Sequence, residues 1–235
     1  MKHLYFFLIV SFCSSLLSCT NDDSFLAHDF ETQQNRALSI YTGNYNIYQI
    51  AKKMSLPSAS TTKLNSVITN CCNDNPVIKW LHNYAKDKKY NFSDVNITSK
   101  GMNGNPAAYD HSTKILSFLT SNAINNTTYP EEFIHMNQDN VYFGGIGTYE
   151  KTAMLNIEFE SKFIQDVIHA PYGTQLVGSG NKYYNSYINW VYSFNPTSSF
   201  PNFTAVESGY NNISWWQFAQ DFKESSPSPY IETLG

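Results

Sequence analysis

The chain has 235 residues and a net charge of −4, and only 14% of its residues are charged. With Arg36 as the only arginine and no basic cluster, that balance excludes a nucleic-acid-binding surface. An apolar share of 42%, carried by 17 Tyr, 16 Phe and 4 Trp, is enough for a core and excludes a disordered chain.

The chain opens MKHLYFFLIVSFCSSLLSC. Lys2 and His3 make a short basic start. Leu4 to Leu17 form an apolar run too short, and too soon followed by polar residues, to span a membrane. Leu16-Leu17-Ser18-Cys19 resembles a bacterial lipobox. The resemblance implies that residues 1–18 are a leader and that a lipid is attached to the Cys19 sulfur. Thr-Asn-Asp-Asp-Ser (20–24) is similar to the export signals of Bacteroidetes surface lipoproteins, which implies a lipid-anchored outer-membrane protein, surface-anchored or periplasm-facing. Polar residues 19–40 read as a tether, and 41–235 as a single domain. Cys13 leaves with the leader. Cys71 and Cys72 are adjacent, a pairing that rarely bridges without backbone strain. No disulfide framework and no Cys-x-x-Cys zinc pattern follows.

Further along, "IYQIAKKM" (47–54) and "NPVIKWLHNYAKDKK" (75–89) carry apolar residues at helical spacing, with Asn75-Pro76 a helix-start signal for the second. "YNFSDVNITSK" (90–100) predicts a strand and "GMNGNP" (101–106) a turn. "AAYDHSTKILSFLT" (107–120) reads as two short extended runs around Asp110 to Thr113. After a polar loop comes the helix containing "PEEFIHMNQ" (130–138), then a Gly-rich loop (141–149) and a helix from about Lys151 to Ile168. Two aromatic-rich helices follow, at 183–194 and 214–225, the first ended by Asn195-Pro196. Their Tyr and Trp could form a sugar-stacking surface, but helical spacing points to core. Helices dominate and the few strands precede residue 120, so the class is α+β.

Chemistry concentrates in Glu131-Glu132-Phe133-Ile134-His135, one residue away from His-Glu-x-x-His. On a helix, residues i and i+4 share a face, so Glu131 and His135 project together, and Glu132 lies about 100° round beside them. That arrangement offers two metal ligands and an adjacent general base. Glu131 has a second reading, as the last residue of a Thr128-x-x-Glu131 capping box with Pro130 in the first turn. His135 by itself could be an ordinary hydrogen-bonded, half-buried histidine. A third ligand is needed, and the next helix offers Glu158 or Glu160. At about 100° per residue, Glu160 falls within the apolar stripe of Ala153, Ile157, Ile164, Val167 and Ile168. An ionised, unpaired carboxylate there costs several kcal/mol, so Glu160 requires a compensating ion or partner such as His135. Glu158 is explained by an exposed i,i+4 pair with Lys162. His169 fits the cation-favouring end of its helix, and His111 precedes the second extended run. "GGIG" (144–147) is no phosphate loop, and no Gly-x-Ser-x-Gly elbow is present.

"KILSFL", "EEFIHMNQ" and "NIEFESKFIQD" occur in the order and spacing of zincin-like metallopeptidases. Together with "GNPAAYD" they resemble gut Bacteroidetes lipoproteins with "EELxHxxQ" and "NxEFEAK" helices, over roughly residues 101–170. The resemblance implies a zincin-like fold, mainly helical with a small sheet before the motif helix. It implies Glu132 as general base or acid, His135 and Glu160 as ligands, and a substrate cleft lined by the strand near Ile115 to Leu119. The departure is Glu131, which stands where the motif has its first His. Glu131, His135 and Glu160 together would hold a zinc, manganese or iron ion. The expected function is metal-dependent hydrolysis of a peptide or protein substrate. The alternative is a metal-free, inactive scaffold that binds a peptide or protein.

Overall fold

A computed structural model of the chain describes residues 45–149, 154–170, 178–194 and 209–225. The expected leader, lipidated Cys19 and tether lie outside them. The described residues group into two compact units that divide between Asn140 and Val141. The described chain is mixed and mainly helical, with six α-helices and one three-stranded sheet. No helix among the described residues is long and apolar enough to cross a membrane.

The first unit begins with a 3-10 turn at Ile47–Gln49. The expected helix over 47–54 does not continue. Instead the chain runs extended beside Phe92: Lys52 N donates to Phe92 O and Phe92 N to Ile50 O, both at 2.9 Å. Ile47 and Ile50 are fully buried, so their three-residue spacing reflects burial on a turn and not a helix face.

Helix α1, Ser58–Asp74, has no clear sequence signal. It is rich in Ser, Thr and Asn, which compete for backbone hydrogen bonds and weaken helices. Thr61, Thr62 and Ser66 turn their hydroxyls back onto the carbonyls four residues earlier. Burial of Leu64, Val67, Ile68, Cys71 and Cys72 along one face holds it. Helix α2, Pro76–Lys88, is the expected one. Asn75 Oδ1 accepts from Val77 N (2.9 Å) and Ile78 N (3.3 Å), and Pro76 fills the first turn, where its missing N–H costs nothing.

Strands β1 (Asp94–Ile97), β2 (Ala107–Asp110) and β3 (Ile115–Phe118) follow as anticipated. Their order is β1-β3-β2, with β1 parallel and β2 antiparallel to β3. Asn103, Gly101 and Gly104 take the positive φ that the turn before β2 needs. Leu119 N donates to Pro106 O at 2.9 Å. Ladder bonds alternate in an antiparallel pair, so the amides of Ala107 and Tyr109 face away from β3 at an open edge. Helix α3, Thr128–Val141, closes this unit, burying Tyr129, Phe133, Ile134 and Met136.

The second unit holds α4 (Met154–His169), α5 (Tyr184–Ser193) and α6 (Trp215–Ser225). Its core is aromatic, as the helical spacing suggested: Phe159 and Phe163 of α4 pack with Tyr187 and Trp190 of α5 and with Trp215, Phe218 and Phe222 of α6. Trp190 stacks on Phe218 with centroids 4.8 Å apart. Two buried carboxylates join the elements. Asp166 accepts from Gly178 N and the Tyr187 hydroxyl, and Asp221 accepts from the amides of Lys182 and Tyr183 where α5 starts. Ser214 and Gln217 cap α6 reciprocally.

Candidate metal centre

The centre starts from the fixing of α3. Asn125 supplies its cap, accepting from Thr127 N (2.9 Å) and Thr128 N (3.0 Å), while the Thr128 hydroxyl donates to the Ala123 carbonyl. Glu131 lies in the first turn, where the helix dipole favours an acid. Burial of Phe133, Ile134 and Met136 sets the rotation of the helix. Glu131 and His135 are left one turn apart on a shared face.

From this face of the first unit Glu131 and His135 could each offer one ligand atom to a metal ion, while Glu158 lies on α4 of the second unit. His135 is buried, and Glu131 and Glu158 are half-buried. A carboxylate and an imidazole suit zinc, and suit manganese or iron(II) equally well.

Three further contacts order the α3 side chains. His135 Nδ1 lies 2.8 Å from Gln138 Oε1, and both residues are buried. Glu132 Oε2 accepts the backbone N–H of Tyr109 at 2.6 Å, from the open edge of β2. The Tyr109 hydroxyl donates to Asp139 Oδ2 at 2.7 Å, and Lys114 pairs with the same oxygen. Tyr109 thus bridges two α3 carboxylates seven residues, or about two turns, apart. Burial, then the bond to Asp139, pushes the Tyr109 phenol far above its ordinary range, so it stays a donor.

Glu160, the ligand expected from the resemblance, lies on α4 of the second unit. It is buried, as its helix angle requires, but the hydroxyl of Tyr142 donates to its Oε2 at 2.9 Å and supplies the compensating partner. Burial and the Glu160 charge in turn hold that phenol well above its usual pKa. The angle argument separates the buried Glu160 from the half-buried Glu158, but it assigns α4 only one buried face. Leu155, Phe159, Phe163 and Val167 form a second buried stripe. Only Glu158, Lys162 and His169, among the side chains described on α4, are less than fully buried. Burial also lowers the His169 pKa, against the cationic helix-end role expected of it. His111 sits in the turn between β2 and β3, shaped by Asp110 Oδ1 accepting from Ser112 N (2.8 Å) and Thr113 N (3.2 Å). Cys71 and Cys72 are free, buried thiols, and burial pushes the Cys71 pKa up to about 12.

Sequence reasoning missed Gln138, Tyr109 and Asp139. Gln138 had a signal, a side-chain carbonyl three residues after a histidine on one helix. Tyr109 had none, because its contact with Glu132 spans 23 residues of chain. Comparison with protein-family models, with curated proteins and with solved structures gives no match.

Proposed function

We propose that this chain is a lipid-anchored, metal-dependent peptidase of zincin-like architecture, with Glu131 and His135 as ligands and Glu132 as general base. The observation that carries the reading is the placement of Glu131 and the buried His135 one turn apart on α3, flanking Glu132. A divalent ion held there would supply Lewis-acid polarisation of a scissile carbonyl and acidify water. Glu132 takes the proton of the attacking water at a carboxylate oxygen and returns it to the leaving nitrogen. The Tyr109 amide holds that carboxylate in place from β2. An anionic ligand in the place of a histidine acidifies the bound water less than a histidine-rich set would, so the reading favours a slow enzyme or one using manganese or iron. Lipidation at Cys19 would place the domain at the outer membrane, facing peptide or protein substrates.

A second reading is a peptide- or protein-binding scaffold without turnover. It is favoured by Glu131 in the place of a histidine and by the engagement of Glu132 Oε2 with a backbone amide. Metal analysis of protein purified without chelator is the test. The peptidase reading expects close to one equivalent of zinc, manganese or iron, and cleavage of an unstructured protein such as casein that Glu132→Gln abolishes. Bound metal with no cleavage selects the scaffold. Less than about a tenth of an equivalent, with no uptake from added zinc or manganese, ends the metal-centre assignment.

A further inference from the structure

We infer that Gln138 is a positioning residue for His135: its side-chain carbonyl holds the imidazole as the Nδ1–H tautomer and so presents Nε2 as the ligand atom. The inference rests on the metal-centre reading above and deepens it. The contact is 2.8 Å between His135 Nδ1 and Gln138 Oε1, with Gln138 fully buried. An amide oxygen only accepts, so the ring proton must sit on Nδ1. A neutral imidazole carries one N–H, and Nε2 therefore keeps its lone pair.

The neighbouring amides show that this use of Gln138 is particular. Asn137 and Asn140 direct their Nδ2 groups to the carbonyls four residues back, Phe133 O at 2.8 Å and Met136 O at 2.7 Å. Those bonds stay within the backbone of their own helix. Gln138 turns its oxygen to a side chain instead. The other buried imidazole of the first unit makes the contrast. His82 donates from Nε2 to Gln49 Oε1 at 2.9 Å, which leaves the opposite nitrogen with the lone pair, sealed in the core. Partners that accept from His135 on Nδ1 are what a ligating histidine requires to fix its ring before an ion arrives.

Two variants and two readouts test this. Gln138→Leu removes the acceptor at similar volume. Gln138→Glu keeps an acceptor and has no donor. Long-range nitrogen-15 NMR of the metal-free protein, at a pH well above the ordinary imidazole pKa, reads the tautomer directly, with His135 assigned by comparison with His135→Gln. The expected result is a protonated Nδ1 and an unprotonated Nε2 in the wild type and in Gln138→Glu, and a mixture in Gln138→Leu. For manganese and zinc, affinity should fall roughly 10- to 100-fold in Gln138→Leu and be retained in Gln138→Glu. An Nε2–H tautomer in the wild type overturns the inference. So does undiminished affinity in Gln138→Leu, or an equal loss in Gln138→Glu. A wild type that takes up no ion would sink the metal centre, and the tautomer would still decide the role of Gln138.

Discussion

Replacing Asp139 by Ala should destabilise the first unit by about 3 kcal/mol. Its Oδ2 accepts from the Tyr109 hydroxyl at 2.7 Å, and its side chain is 1% exposed. A hydrogen bond to a charged acceptor contributes about 1.5–3 kcal/mol, and a stranded buried phenol loses its partner outright. The ion pair with Lys114 adds at most about 1 kcal/mol, since the lysine is 39% exposed and its ammonium can return to water. Tyr109→Phe removes only the phenol bond and leaves Asp139 with Lys114, so its cost should be about 1–2 kcal/mol. The two changes remove one shared bond, so the double variant should cost less than the sum by about 1 kcal/mol or more. Guanidinium unfolding followed by far-ultraviolet circular dichroism gives the free energies. Hydrogen exchange at the Tyr109 amide, bonded to Glu132, should speed up in both variants. A cost under about 1 kcal/mol for Asp139→Ala, or strict additivity, would refute the idea that Tyr109 clamps β2 onto α3 at both ends.

Glu131→His would restore a second imidazole to the ligand set, and zinc affinity measured by chelator competition should rise at least about tenfold; unchanged affinity would mean that Glu131 is not a ligand. Burial lowers the His82 pKa from 6.5 to about 4, with Lys86 adding to it. A base with a depressed folded pKa contributes stability that is complete above 6.5 and lost as pH falls from 6.5 toward 4. The loss should reach about 3 kcal/mol across that window in urea titrations and should flatten in His82→Gln. Gly180→Ala would place a Cβ 2.1 Å from Asp221 Oδ2 and 2.7 Å from the Asp221 backbone carbon. It should lower the stability of the second unit by about 2 kcal/mol or more, seen as a lower melting temperature, whereas Gly101→Ala meets no neighbouring atom and pays only for its positive φ.

The parts of the fold that could be read from sequence are those where one local signal sufficed. Asn75-Pro76 announces α2, and alternation around Asp110 to Thr113 announces β2 and β3. Helix α1 escapes because its Ser, Thr and Asn content argues against a helix that only packing of Leu64, Ile68 and Cys72 sustains. At the candidate metal centre, the shared face of Glu131 and His135 follows from helical spacing alone. On α4 the single-stripe picture finds the buried Glu160 but misses the second buried stripe of Leu155, Phe159, Phe163 and Val167. Glu160 is indeed buried, and its explanation lies in the hydroxyl of Tyr142, 18 residues away in the chain. No periodicity encodes such a partner.

The bond between Glu132 and Tyr109 N bears on solubility as well as on chemistry. The outward amides of β2 are the kind of unpaired row onto which another chain can add a strand and begin to aggregate. Glu132 covers one of those amides with a carboxylate, so an incoming strand meets an occupied donor and a negative charge at mid-edge. Truncating Glu132 to Ala to test the proposed general base would also expose that edge. Glu132→Gln keeps an acceptor for Tyr109, and for this chain it is the cleaner variant for that test.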